Sequence, residues 1–257
     1  MTRRTLVVSL LAAAVAAVGL AAPAASAALL SFDFTNGTSG MATTDLAGAP
    51  GVRVGNYNNV PITSTSAVAT LNTVKDDSGA TVPGATLTFT PGSSTVTPGA
   101  AAGTNDANLY SNFYDEFGTP AASVTITNIP YATYDVYFYR NGTEANAALR
   151  AGQFTIGSQN RFVRGGLPDP TSAGTGYVES MDTTNTAGSI TQGNYGVFRG
   201  QTGSTLTASL VGVTAGDTIQ RNKIVGFQVV QTPEPASVAL LGLAGLGLLA
   251  RRRRAAR

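Results

Sequence analysis

The chain contains no cysteine, no histidine and no tryptophan, and few of its residues are charged. Each absence closes a class of chemistry. Without cysteine, an exported domain gets no disulfide staple and must be held by an ordinary hydrophobic core. Without histidine or cysteine there is no conventional zinc site, no Ser-His-Asp or Cys-His nucleophile and no histidine-ligated haem. No cofactor or metal is expected. The missing tryptophan leaves tyrosine and phenylalanine as the aromatic surfaces on which a ligand could stack.

Both ends of the 257 residues read as targeting segments. Arg3 and Arg4 precede an apolar stretch from Leu6 to about Ala22, and Ala25-Ser26-Ala27 supplies the small residues of a cleavage site before Ala28. This predicts a signal peptide over residues 1–27, removed by signal peptidase. Two of the 16 basic residues lie in that leader and five in the tail, leaving nine. Of the 14 acidic residues Glu234 alone lies outside the middle, leaving thirteen and a balance near −4. The basic pI therefore belongs to the ends, and a nucleic-acid partner is not expected.

Residues 28–231 are rich in Gly, Thr, Ser, Asn and Ala, with short alternating runs between turn signals. About a dozen short strands are expected, and no segment carries a capped helical period. Asn36-Gly37 and Asn141-Gly142 read as tight turns, the second as a hairpin signal. Residues 91–108 read as a long irregular surface insertion. The strongest strand, 133–140, places Tyr134, Val136 and Phe138 on one face and Asp135, Tyr137 and Tyr139 on the other. The fold class is all-β: one antiparallel, jelly-roll-like β-sandwich ectodomain over residues 28–231.

Three constellations invite a functional reading. Asp115-Glu116 could be a catalytic carboxylate pair, but strand neighbours point to opposite faces, whereas glycosidase carboxylates come from separate elements about 5–9 Å apart. Asp76-Asp77 and Asn105-Asp106-Ala107-Asn108 offer hard oxygen ligands without calcium-loop spacing, so local turn bonding is the favoured reading. Asp135, Tyr137 and Tyr139, with Tyr57, Tyr110, Tyr114 and Tyr195 on neighbouring loops or strands, could form a face that stacks sugar rings and bonds their hydroxyls. The competing reading is that this second sheet face is itself buried.

The tail, residues 232–257, has three parts in sequence: Pro233-Glu234-Pro235, an apolar glycine-laced run over 236–250, and Arg251, Arg252, Arg253 and Arg254. As a helix the run would span about 22 Å, short for a hydrocarbon core of about 30 Å. The arginines would hold the far end in the cytoplasm, with the body outside. In this order the parts resemble the PEP-CTERM sorting signal of bacterial exported proteins, although Thr232 stands where members commonly carry valine. The resemblance implies recognition of Pro233, Glu234 and Pro235 by a membrane-embedded exosortase. It also implies transient anchoring in the inner membrane by a C-terminal transmembrane helix, then removal of the tail and delivery to the cell surface or exopolysaccharide matrix. The body is similar to sandwich ectodomains that recur before this signal, at Tyr57-Asn58-Asn59, residues 124–138, residues 194–198 and residues 224–230.

The expectation is thus an exported, non-catalytic surface protein that binds extracellular polysaccharide. One rival is an envelope protein with a structural or interaction role and no sugar affinity. The other is a polysaccharide lyase or hydrolase, which would need convergent carboxylates or a Tyr-Arg-Asp group in one groove.

Overall fold

A computed structural model describes residues 28–232, apart from 38–39, 93, 95, 99–104, 144–145, 172, 187–188 and 217. The leader, the Pro-Glu-Pro triplet, the apolar run and the four arginines lie outside the described residues. In chain order the elements are β1 (Leu29–Thr35), β2 (Asn58–Pro61), β3 (Ala69–Leu71), β4 (Thr86–Thr90) and β5 (Val96–Pro98). There follow α1 (Asn105–Leu109), β6 (Asn112–Glu116), β7 (Ala122–Thr127), β8 (Thr133–Arg140) and a 3-10 turn, Ala147–Leu149. The last are β9 (Arg150–Ile156), β10 (Gln159–Arg164), β11 (Glu179–Ser180), β12 (Tyr195–Thr202), β13 (Leu206–Thr214) and β14 (Asn222–Gln231).

The strands form two sheets. The first runs β11-β12-β8-β14-β1-β2, with β6 pairing β14 beyond the end of β1 and β5 pairing β6. The second runs β10-β9-β13-β7-β4-β3 and is antiparallel throughout. In the first sheet β1–β2 and β11–β12 pair in parallel.

Alternation packs the sheets face to face. Leu30, Phe32 and Phe34 of β1, Tyr134, Val136 and Phe138 of β8, and Leu87 and Phe89 of β4 all enter one core between the layers. At its centre Phe227 lies 4.6 Å from Phe32 and 5.4 Å from Phe138, ring centroid to centroid. Ile224 and Phe227 both face inward although three residues apart, which a period of two forbids. A register shift between Ile224 and Gly226 resolves this, since one extra residue flips the alternation. Gly226 is required there because a side chain would strike the carbonyl of Phe32.

Two expectations are corrected. Within the insertion over 91–108, Val96–Pro98 form β5 and Asn105 opens α1. Asn141-Gly142 makes no hairpin, for β8 leads across to β9 in the other sheet. Gly142 instead permits a close approach: an added Cβ would lie 2.8 Å from the Leu167 carbonyl oxygen.

Candidate functional site

The outer face of the first sheet carries the tyrosines. Alternation along β8 sends Tyr137 and Tyr139 there, as the sequence pattern predicts. Most of that face is covered, however. Met41, Ala47, Ala49 and Val52 from the β1–β2 connection, with Leu109 and Tyr110, pack against Leu29, Tyr139, Val225 and Val230 as a second core.

Four of the tyrosines singled out from the sequence are consequently structural. The Tyr57 hydroxyl donates to the Ala47 carbonyl (3.0 Å), and that of Tyr110 to the Asn194 carbonyl (3.1 Å). The Tyr139 hydroxyl donates to Gln228 Oε1 and accepts from the Ala49 N–H (3.1 Å). Tyr114 faces the other way, into the core between the sheets, and its hydroxyl accepts from the Gly92 N–H (2.7 Å). Burial pushes all four hydroxyls above the ordinary tyrosine range, so each stays protonated. Tyr177, which no local pattern in the sequence marks, joins this network. Its hydroxyl donates to Asp106 Oδ1 (3.0 Å), while Asp106 Oδ2 accepts from Gly174 N–H and pairs with Arg53. Asp106 thereby ties α1 to two loop segments, the one carrying Arg53 and the one carrying Gly174 and Tyr177.

Asp135, Tyr137 and Tyr195 remain half-exposed and adjacent. Tyr137 and Tyr195 lie with centroids 6.1 Å apart and planes within 19°. Beside them Arg199 makes a two-pronged ion pair with Glu179 (2.8 and 2.9 Å). Asp135 Oδ1 accepts from the Gly200 N–H (2.8 Å), which lies within the bulge of β12. The patch therefore has two aromatic surfaces, two carboxylates and a guanidinium on adjacent strands. Arg199 and Glu179 were not among the candidates. They join the tyrosines because β11 pairs with β12, bringing Glu179 opposite Tyr195.

A separate cleft of about 380 Å³ opens where α1 and β6 meet the loop after β8. Tyr110, Phe113, Asn141, Thr143 and Asp169 line it, with Pro168 and Pro170. Asp169 Oδ1 accepts from the Gly142 N–H (3.0 Å) and Oδ2 from Asn141 Nδ2 (2.6 Å). Burial lifts its carboxyl to about 6, against the lowering pull of the Gly142 N–H and of Lys223, Thr143 and Arg140. No sequence signal marks Asp169, because its hydrogen-bonding partners lie 26 or more positions earlier.

The other acidic candidates are engaged within the protein. Asp115 forms an ion pair with Arg221, whose Nε lies 2.8 Å from Oδ1. Asp76 Oδ1 accepts from Ser78 and from the Ala80 N–H, closing its turn. Among the described residues no three acidic, histidine or cysteine side chains converge on a possible metal position.

The last functional element is the exit of the chain. β14 lies between β8 and β1, and Thr232 is bonded to Thr133 at the start of β8. Residues 231–254 match the family model described as the PEP-CTERM protein-sorting motif. The tail is a PEP-CTERM sorting signal. This signal implies an exported protein with an exosortase as its processing partner and the cell surface as its destination. The matched segment opens on Gln231, the final residue of β14, so the PEP-CTERM signal begins where the sheet stops. No curated protein and no solved structure matches the chain. Among the described residues no helix is long and apolar enough to cross a membrane, and the run over 236–250 lies outside them.

Proposed function

We propose that the protein is a non-catalytic surface or matrix component whose ectodomain binds extracellular polysaccharide through the Asp135, Tyr137 and Tyr195 patch. On this reading signal peptidase removes residues 1–27, the C-terminal helix anchors the precursor in the inner membrane, and exosortase removes the tail. The connectivity, which crosses between the sheets repeatedly, at β2–β3, β4–β5, β6–β7, β7–β8, β8–β9, β10–β11, β12–β13 and β13–β14, is read as jelly-roll-like.

The observation that carries the ligand assignment is the near-parallel Tyr137–Tyr195 pair, half-exposed beside Glu179, Arg199 and Asp135. Aromatic faces suit the carbon–hydrogen side of a pyranose, and the flanking ions suit its hydroxyls. A non-catalytic role is favoured because Asp115, Asp106 and Glu179 are each engaged with an arginine. Affinity electrophoresis of the exported protein in gels of extracellular polysaccharide tests the proposal. Retardation lost in Tyr137→Ala and Tyr195→Ala supports it; retardation absent with every polysaccharide, or unchanged in both variants, rejects it.

A further inference from the structure

We propose that the Asp169 cleft is a second ligand site that takes a single neutral pyranose unit. The Asp169 carboxylate accepts from a sugar hydroxyl, and the wall of Phe113, Tyr110, Pro168 and Pro170 meets its apolar side. The ligand class rests on the carbohydrate reading above; the residues and the location do not.

The hydrogen-bond inventory selects the ligand. Asn141 is occupied: its Nδ2 donates to Asp169 and to the Tyr110 carbonyl, and its Oδ1 accepts from the N–H and hydroxyl of Thr143. The Tyr110 hydroxyl is committed to Asn194, and the Ser111 hydroxyl donates to the Asn108 carbonyl (2.7 Å). These side-chain donors are therefore engaged inside the protein. What remains is acceptor capacity. A carboxylate has about four lone-pair sites, and Gly142, Asn141 and Thr143 all engage Asp169, which leaves about one of its sites for a ligand. A ligand that fits must bring a donor, as a hydroxyl group does.

Charge narrows the class further. Lys223 on β14 and Arg140 on β8 both act on Asp169, and Lys223 Nζ lies 4.3 Å from the Phe113 ring centroid. Each charged sugar thus meets both signs at once: the cations repel an ammonium that Asp169 attracts, and Asp169 repels a uronate that the cations attract. The site is built for neither charge alone. A neutral sugar meets neither objection. The volume of about 380 Å³ lies near the lower end of small-molecule sites, which run from about 300 to 1,000 Å³. The two walls are also held together before any ligand arrives, since Asn141 and Gly142 both bond Asp169 and Gly142 lies against Leu167.

The test is an amide-shift NMR titration of the labelled exported protein with the methyl glycosides of glucose, galactose and mannose, alongside glucuronate and glucosamine. At least one neutral glycoside is expected to move the Asn141, Gly142 and Asp169 amides. Asp169→Asn should weaken that binding at least tenfold, and Thr143→Val should weaken it severalfold. Affinity should also fall severalfold between pH 7 and pH 5, as the carboxylate acceptor is protonated. The proposal is overturned if no neutral glycoside moves these amides, if glucuronate or glucosamine binds more tightly, or if Asp169→Asn binds as the parent does. Its failure is separable from failure of the surface patch. Loss of polysaccharide retardation in Tyr137→Ala and Tyr195→Ala with a silent cleft rejects the cleft alone, and a responsive cleft with unchanged retardation rejects the patch alone.

Discussion

Thr232 is bonded twice to Thr133: its N–H donates to the Thr133 carbonyl (3.1 Å) and its hydroxyl to Thr133 Oγ1 (2.7 Å). The residue before Pro233 is thus held by the body of the protein. The Gln231 N–H also donates to the Ala28 carbonyl (2.9 Å), so the chain enters and leaves the described fold at the same end. Three residues separate Thr232 from the apolar run, so Ala236 lies at most about 14 Å of extended chain from Thr232. An exosortase acting on Pro233-Glu234-Pro235 must therefore work close against the fold. Replacing the triplet by alanine is expected to leave the tail attached and the protein in the membrane fraction. Its melting temperature should not change, because β14 ends before the triplet. Intact mass and fractionation check this, and a normally processed mass in the variant would sink it.

Deleting Arg251 to Arg254 separates topology from recognition. With the triplet intact but the cytoplasmic charge removed, orientation is expected to become mixed and the yield of processed protein to fall. Protease accessibility of the body in intact cells reports orientation. An unchanged orientation and yield would count against the charge anchor.

Phe227 is where the two layers depend most on one side chain. It is fully buried, near-parallel to Phe32 and within ring contact of Phe34 and Phe138. Phe227→Ala is expected to destabilise the fold by about 3–5 kcal/mol, the usual range for a buried phenylalanine lost to a cavity. Urea denaturation checks the magnitude. A loss under 1 kcal/mol would mean that the core closes over the gap.

The inward set of β8 was legible because a period of two is a local property: Tyr134, Val136 and Phe138 alternate and are buried together. The need for glycine at 226 was not, since it comes from the Phe32 carbonyl on a strand almost two hundred residues earlier. The tyrosine face shows the same limit. Alternation tells which side Tyr139 takes but not what lies over that side. The cover is the connection carrying Met41, Ala47, Ala49 and Val52, whose apolar residues fall at no regular spacing. Asp169 lay beyond reach altogether, because its site exists only once 141–143 and 168–171 approach.

Stability should respond to pH through Asp169. Burial raises its folded pKa from 3.8 to about 6, so the native state holds this proton more tightly than the unfolded chain does. The contribution is complete below the unfolded value near 4 and is lost as pH rises through about 6. For a shift of about two units this amounts to about 3 kcal/mol at most. Asp33, fully buried and raised chiefly by burial, acts with the same sign; Asp76, lowered chiefly by its Ser78 bond, acts with the opposite one at lower pH. Subtracting the stability profile of Asp169→Asn from that of the parent isolates the group. The difference should slope between pH 4 and 6 and be flat above 7. A difference that is level across pH 4 to 6 would contradict the raised value.

The tyrosines should divide into two groups when substituted. Tyr139→Phe removes a buried hydroxyl that bonds both Gln228 and the Ala49 N–H, and each partner is left without it in a dry site. A cost of about 1–3 kcal/mol is expected, with no effect on the sugar patch other than through stability. Tyr137→Ala and Tyr195→Ala remove half-exposed, near-parallel rings, whose pairing is worth about 0.5–1.5 kcal/mol beyond the area they bury, so each should cost less than loss of a fully buried ring. Both should nevertheless abolish polysaccharide retardation. Measuring denaturation and retardation on all three variants separates the two roles. Retention that tracked stability across the set, with Tyr139→Phe weakest in both, would place the ligand surface elsewhere and leave the tyrosine face as scaffold alone.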